Sequence, residues 1–136
     1  MLSTSAFAAL KDVNVPLGGG TLQPNGELKV SLDPLRTNVA YAITCKINAA
    51  NSTIMHFSAV GKGPFMYGFP ATLNGQSLGD LASGANGKIN KGDNELSLNS
   101  TSPSPYPPAT DVYLDFLNLD NAVTETVVCS ASPSVS

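Results

Sequence analysis

Apolar and polar residues alternate with a period of two along several stretches of the chain, and this alternation constrains the fold more than any other feature. In residues 41–47 every odd-numbered position is apolar: Tyr41, Ile43, Cys45 and Ile47. Successive side chains of a strand point to opposite faces of a sheet, so this pattern predicts a strand with one buried face. Residues 27–32 alternate in the same way. The chain is therefore expected to be built from half-buried β-strands.

Residues that favour turns separate the alternating stretches at intervals of about 8–15 residues, as in an all-β domain. The predicted strands cover residues 20–23, 27–32, 39–48, 53–60, 65–73, 88–90, 95–98, 111–119 and 124–130. Residues 76–83 have room for one helical turn, and Pro24-Asn25-Gly26 predicts a tight hairpin. The sequence thus predicts an antiparallel two-sheet β-sandwich, Greek-key or immunoglobulin-like, with about seven to nine short strands. A true immunoglobulin domain is not expected, because the chain contains no Trp.

The length of 136 residues fits one domain with one core. We expect the sandwich to cover residues 9–131, with a disordered tail at residues 132–136. Residues 1–8 are interpreted as the residual tail of a signal peptide or as a disordered N-terminus. They end in Ala6-Phe7-Ala8, which matches the small-x-small pattern at which signal peptides are cleaved. This predicts a secreted or periplasmic protein.

Charge argues against two classes of partner. Charged residues make up 12% of the chain and the formal net charge is −3, with no run of basic residues. Binding to nucleic acid or to anionic lipid needs a basic patch, so neither is expected. Asn, Ser and Thr together supply 37 of the 136 positions, which favours strands and turns over helices. No apolar run approaches the roughly 20 residues that span a bilayer, so no transmembrane segment is predicted.

The two cysteines, Cys45 and Cys129, each lie in an apolar stretch, and we predict that they form a disulfide. The alternative is a pair of free, buried thiols. The bond would close a loop of more than 80 residues, which the chain-entropy account values at about 4–5 kcal/mol. Alternation places these residues around the bridge: Tyr41, Ile43, Ile47, Leu114, Phe116 and Val127.

His56 is the only histidine, and the sequence predicts no catalytic residue around it. A Ser-His-Asp triad could use it, but no Gly-x-Ser-x-Gly elbow is present. One histidine and two cysteines are too few for a zinc or blue-copper site. A Cu(I) site could draw only on Met55, His56 and Met66, of which the first two are adjacent and would point to opposite faces of a strand. No cofactor is predicted.

Two further segments offer candidate ligands or binding residues. Residues 91–95 and 111–115 carry oxygen ligands suited to calcium, but neither has the spacing of a calcium loop, so we interpret them as turn and strand-end residues. Residues 102–108 hold four prolines, with Tyr106 between Pro105 and Pro107. Such a stiff, extended segment is either a recognition surface or a rigid connection between the sheets.

These features favour an exported, non-enzymatic β-sandwich that binds a protein, a glycan or an envelope surface, as a monomer or weak oligomer. One alternative is a copper carrier or small hydrolase centred on His56. Another is a structural subunit that assembles through its strand edges. The sequence does not identify the partner.

Overall fold

The computed structural model describes residues 14–35, 41–62, 69–99 and 110–133, and these contain ten strands and no helix. The predictions for residues 1–8, for Met66 and for the proline segment with Pro105, Tyr106 and Pro107 lie outside the described residues. The strands are β1 (Val15–Leu22), β2 (Glu27–Ser31), β3 (Tyr41–Ala49), β4 (Thr53–Lys62), β5 (Pro70–Leu73), β6 (Gln76–Asp80), β7 (Ala85–Ile89), β8 (Gly92–Asn99), β9 (Thr110–Asn118) and β10 (Glu125–Pro133). No described helix is long and apolar enough to cross a membrane.

The strands form two antiparallel sheets that pack face to face, which confirms the predicted β-sandwich. One sheet has six strands in the order β1-β10-β3-β8-β5-β6, and the other has four in the order β2-β9-β4-β7. Strand β10 continues to Pro133, two residues beyond the predicted end of the domain. One buried core lies between the sheets. The four-stranded sheet contributes Phe57 and Phe116 to it from the adjacent strands β4 and β9, and their rings pack edge to face with centroids 5.8 Å apart.

There are more strands than the seven to nine predicted, because residues 76–80 form β6 rather than a helical turn. Asn74 and Gly75 both have positive φ angles, of 51° and 84°. Two such residues form the tight turn that suits the twist of a two-residue hairpin, so the chain reverses into β6 immediately after β5.

The turn at Pro24–Gly26 forms as predicted, but it does not make a hairpin. Asn25 has a φ of 59°, and the Gly26 N–H donates to the Gln23 carbonyl at 2.9 Å. Strand β1 then pairs with β10 and strand β2 with β9, so the turn carries the chain from one sheet to the other. A local turn pattern determines the reversal of the chain but not which strands pair after it.

The structure joins Cys45 and Cys129 in a disulfide, as predicted. The two residues face each other directly across β3 and β10, and both are buried. The bond therefore links neighbouring strands of one sheet, whereas an immunoglobulin disulfide links the two sheets. All residues predicted around the bridge belong to the same buried core: Tyr41, Ile43, Ile47, Leu114, Phe116 and Val127.

Candidate functional site on the outer face of the four-stranded sheet

The outward side chains of the four-stranded sheet line up in four rows across β2, β9, β4 and β7, and we call them the outer face. Their order follows from the strand registers, because directly paired residues lie side by side on the same face. The rows are Leu119, Ile54 and Lys88; Glu27, Leu117, His56 and Asn86; Lys29, Asp115 and Ser58; and Ser31, Tyr113 and Val60.

A carboxylate pair lies near the centre of the outer face. Asp115 shares a hydrogen bond with Glu27, on the neighbouring strand. Burial, together with that bond and the negative charge of Glu27, raises the pKa of Asp115 to about 6, against the smaller opposing effects of Lys29 and His56. The Oδ1 atom of Asp115 is itself buried and has no hydrogen-bond partner among the described residues. An unpaired buried acceptor of this kind favours the binding of a ligand that supplies a hydrogen-bond donor.

His56 lies on this face, half-buried, as its alternation predicted. Its Nδ1 is 2.6 Å from Oδ1 of Asn86, on the adjacent strand β7. A Cβ atom at Gly84 would lie 3.1 Å from Nε2 of His56, so the backbone of Gly84 packs closely against the ring. In a catalytic triad a carboxylate orients the ring through this nitrogen, whereas here an amide occupies it. The arrangement is that of a histidine fixed within a surface network.

Two further groups of the outer face, Lys29 and Tyr113, interact with each other. The Nζ of Lys29 lies 5.1 Å from the centroid of the Tyr113 ring, a cation–π arrangement. Lys29 therefore covers part of the one aromatic ring among the outer-face residues of the described chain.

At one end of the outer face two apolar side chains are open to solvent. Ile54 is 52% exposed and Leu119, beside it in the same row, is 49% exposed. The Leu119 N–H donates to the Ile54 carbonyl at 3.3 Å, which holds the two residues side by side. The third large hydrophobic residue exposed in the described chain, Val128, lies on the opposite sheet.

The other candidate residues do not converge on a site. Met55 is buried in the core while His56 points outward, so these two residues cannot ligate one copper ion together. Among the described residues, no group of three or more His, Cys, Asp or Glu side chains is placed to hold a metal. In the segment 91–95, Asp93 accepts a hydrogen bond from Nδ2 of Asn48 at 2.7 Å, a surface contact between β8 and β3.

Sequence reasoning missed the carboxylate pair. Glu27 and Asp115 each lie at a polar position of an alternating run, but they are far apart in sequence. Their proximity depends on the pairing of β2 with β9, which no local pattern specifies.

No family model matches the chain, and no curated protein is significantly similar to it in sequence.

Proposed function

We propose that this protein is an exported, non-enzymatic binding module whose outer face binds a partner protein that presents a cationic side chain. One observation carries the proposal: two exposed apolar residues, Ile54 and Leu119, adjoin a carboxylate pair whose Asp115 has an unpartnered buried oxygen. Apolar contact area next to a charge-assisted hydrogen-bond acceptor is the combination that anchors protein–protein interfaces.

A protein partner fits this surface better than a glycan. Sugar-binding surfaces generally offer exposed aromatic rings for stacking, and the ring of Tyr113 is partly covered by Lys29. An Arg or Lys from a partner could instead donate to Asp115 and Glu27 at once, which would also relieve the repulsion between the two carboxyl groups. Export is supported by the buried disulfide, since such bonds persist in oxidising compartments.

Assembly through strand edges is less well supported. The four edge strands of the described sheets are β1, β6, β2 and β7. Strand β1 has a register shift between Pro16 and Gly18, and the pairing of β6 is shifted as well. Strands β2 and β7 have five residues each and carry outward lysines, Lys29 and Lys88. Irregular, short or charged edges are features that oppose edge-to-edge pairing.

The test is site-specific photo-cross-linking in the cell that exports the protein. A photoreactive amino acid replaces Ile54 in one variant and Val128, the exposed residue of the opposite sheet, in the matched control. We expect a cross-linked partner at position 54 and none at position 128. Adding Asp115→Asn should reduce the yield about tenfold or more, because it removes a charged acceptor.

Two outcomes would contradict the proposal. Identical products at positions 54 and 128 would show non-specific contact. A product at position 54 that is unchanged by Asp115→Asn would show that the carboxylate pair does not hold the partner.

A further inference from the structure

Three connections cross between the two sheets at one end of the sandwich, and hydrogen bonds tie them together. They span residues 23–26, 50–52 and 119–124. The amide of Asn118, which is buried, donates to the carbonyls of Gln23 at 3.1 Å and Val123 at 2.6 Å. The Ala50 N–H donates to the Thr124 carbonyl at 3.2 Å. This end is therefore a polar layer closed over the apolar core.

Glu125 and Thr53 point into this layer from opposite sheets, and their oxygens are unpaired. Glu125 is 1% exposed and Thr53 is 7% exposed. Among the described residues, neither carboxylate oxygen of Glu125 nor Oγ1 of Thr53 has a hydrogen-bond partner. Burying such groups without partners costs free energy, and most of all for a carboxylate.

Asp120 brings a second carboxylate to the same place. Its Oδ1 accepts hydrogen bonds from the N–H groups of Ala122 at 2.7 Å and Val123 at 3.0 Å. These bonds fix the loop, and the bond from Ala122 has the largest part in lowering the pKa of Asp120. The hydroxyl of Thr53 is near enough to contribute to that lowering, although it makes no hydrogen bond of ordinary geometry.

The charge of Asp120 also affects the pKa of Glu125. Burial first, and then the negative charge of Asp120, raise the pKa of Glu125 to about 7. The register of β4 with β9, continued past Met55 and Asn118 through Ile54 and Leu119, puts Asp120 beside Thr53. Two carboxylates and a hydroxyl thus lie at this end of the sandwich, and three of their oxygens are unsatisfied.

We propose that Glu125, Asp120 and Thr53 bind a calcium ion at this end of the sandwich. The donors are all hard oxygens, with no imidazole or thiolate, which is the donor set of calcium rather than zinc or copper. Calcium takes six to eight oxygens in flexible geometry, so backbone carbonyls and water can complete the set. The ion neutralises both carboxylates and gives the unsatisfied oxygens a partner.

Protonation of Glu125 is the competing explanation, and it leaves more unresolved. A proton removes the charge but adds an O–H donor that itself needs an acceptor. It also leaves the Thr53 hydroxyl without a partner. A cation accounts for all three oxygens at once.

In the experiment, calcium is added to chelator-treated protein. Isothermal titration calorimetry measures the binding, and thermal unfolding measures the change in Tm. We expect one ion per chain, with a Kd of about 0.1–1 mM, the range of extracellular calcium modules. At ten times that Kd, Tm should rise by about 5 °C.

Matched variants separate the two explanations. Glu125→Gln keeps the size of the side chain and should abolish both the heat and the rise in Tm, whereas Glu95→Gln, at an exposed position of β8, should preserve them. Asp120→Asn should weaken binding by about tenfold. No heat and no rise in Tm for the unaltered protein would overturn the proposal. Equal responses to calcium in Glu125→Gln and the unaltered protein would also overturn it.

Discussion

Glu125 is the only charged residue that is fully buried in the described part of the chain, and its position makes the stability of the fold depend on pH. Its pKa is about 7 in the folded protein, against 4.5 for an ordinary glutamate. Between these values the folded state keeps the proton and the unfolded state does not. The free energy of unfolding therefore falls as pH rises from about 4.5 to 7 and then levels off.

The substitution Glu125→Gln tests this dependence in calcium-free buffer. We expect the variant to match the original protein near pH 4.5 and to exceed its free energy of unfolding by about 2–3 kcal/mol at about pH 8. Asp115, whose pKa is also raised, contributes a fall of the same sign at somewhat lower pH, and the variant retains it. Urea denaturation followed by circular dichroism at several pH values measures the difference. A variant that is less stable than the original at about pH 8 would refute a buried, uncompensated carboxylate.

At the scale of the strand, β1 shows how close backbone contact selects glycine. A Cβ atom at Gly19 would overlap the carbonyl oxygen of Val127 on the neighbouring strand. At the next position, Gly20, a Cβ atom would lie 3.4 Å from the flexible Leu28 side chain, which is ordinary contact. The two adjacent glycines therefore differ in importance. The pairing of β1 with β10 requires glycine at position 19, whereas position 20 has room for a larger residue.

The pair Gly19→Ala and Gly20→Ala provides the corresponding test. We expect Gly19→Ala to lower the free energy of unfolding by about 1–3 kcal/mol, because backbone atoms of β10 cannot move aside easily. Gly20→Ala should change it by less than about 0.5 kcal/mol. Denaturant unfolding of both variants gives the comparison. Equal losses would show that β1 yields as a whole rather than at one contact.

The strands themselves were largely predictable, because period-two alternation is a local property of the sequence. The same parity rule puts residues 125, 127 and 129 on one face, so the inward position of Glu125 was encoded in the pattern. The succession of apolar residues at Phe116 and Leu117 breaks the alternation, yet β9 pairs there with β2 and β4 without a shift. Asn118 takes the inward place after Phe116 because its amide satisfies two carbonyls, and Leu117 points outward.

What the sequence could not show is which strands become neighbours. The turn at Pro24–Gly26 joins two sheets, and the Glu27–Asp115 pair exists only because β2 lies beside β9. Both arrangements depend on long-range pairing, which is determined by the packing of the whole core and not by any short segment. The candidate site is therefore less predictable than the strands that carry it.

At the scale of the molecule, the disulfide joins two strands that the sheet already holds together. Cys45 and Cys129 are directly paired within a nine-residue ladder between β3 and β10. Because this ladder holds the register through its own hydrogen bonds, we expect the main effect of the bond to fall on the unfolded chain. There it closes a loop between residues 84 positions apart and restricts most of the polypeptide.

Replacing both cysteines, Cys45→Ala with Cys129→Ala, should lower the free energy of unfolding by about 2–5 kcal/mol. The far-UV circular dichroism of the folded variant should match that of the original protein, because the ladder survives. Chemical denaturation measures the loss, and thiol titration of the unfolded, unreduced original protein should find no free thiol. Two reactive thiols per chain would show that the bond does not form. That result would also remove the strongest support for export. A folded variant with altered dichroism would instead show that the bond maintains the sheet as well as restricting the unfolded chain.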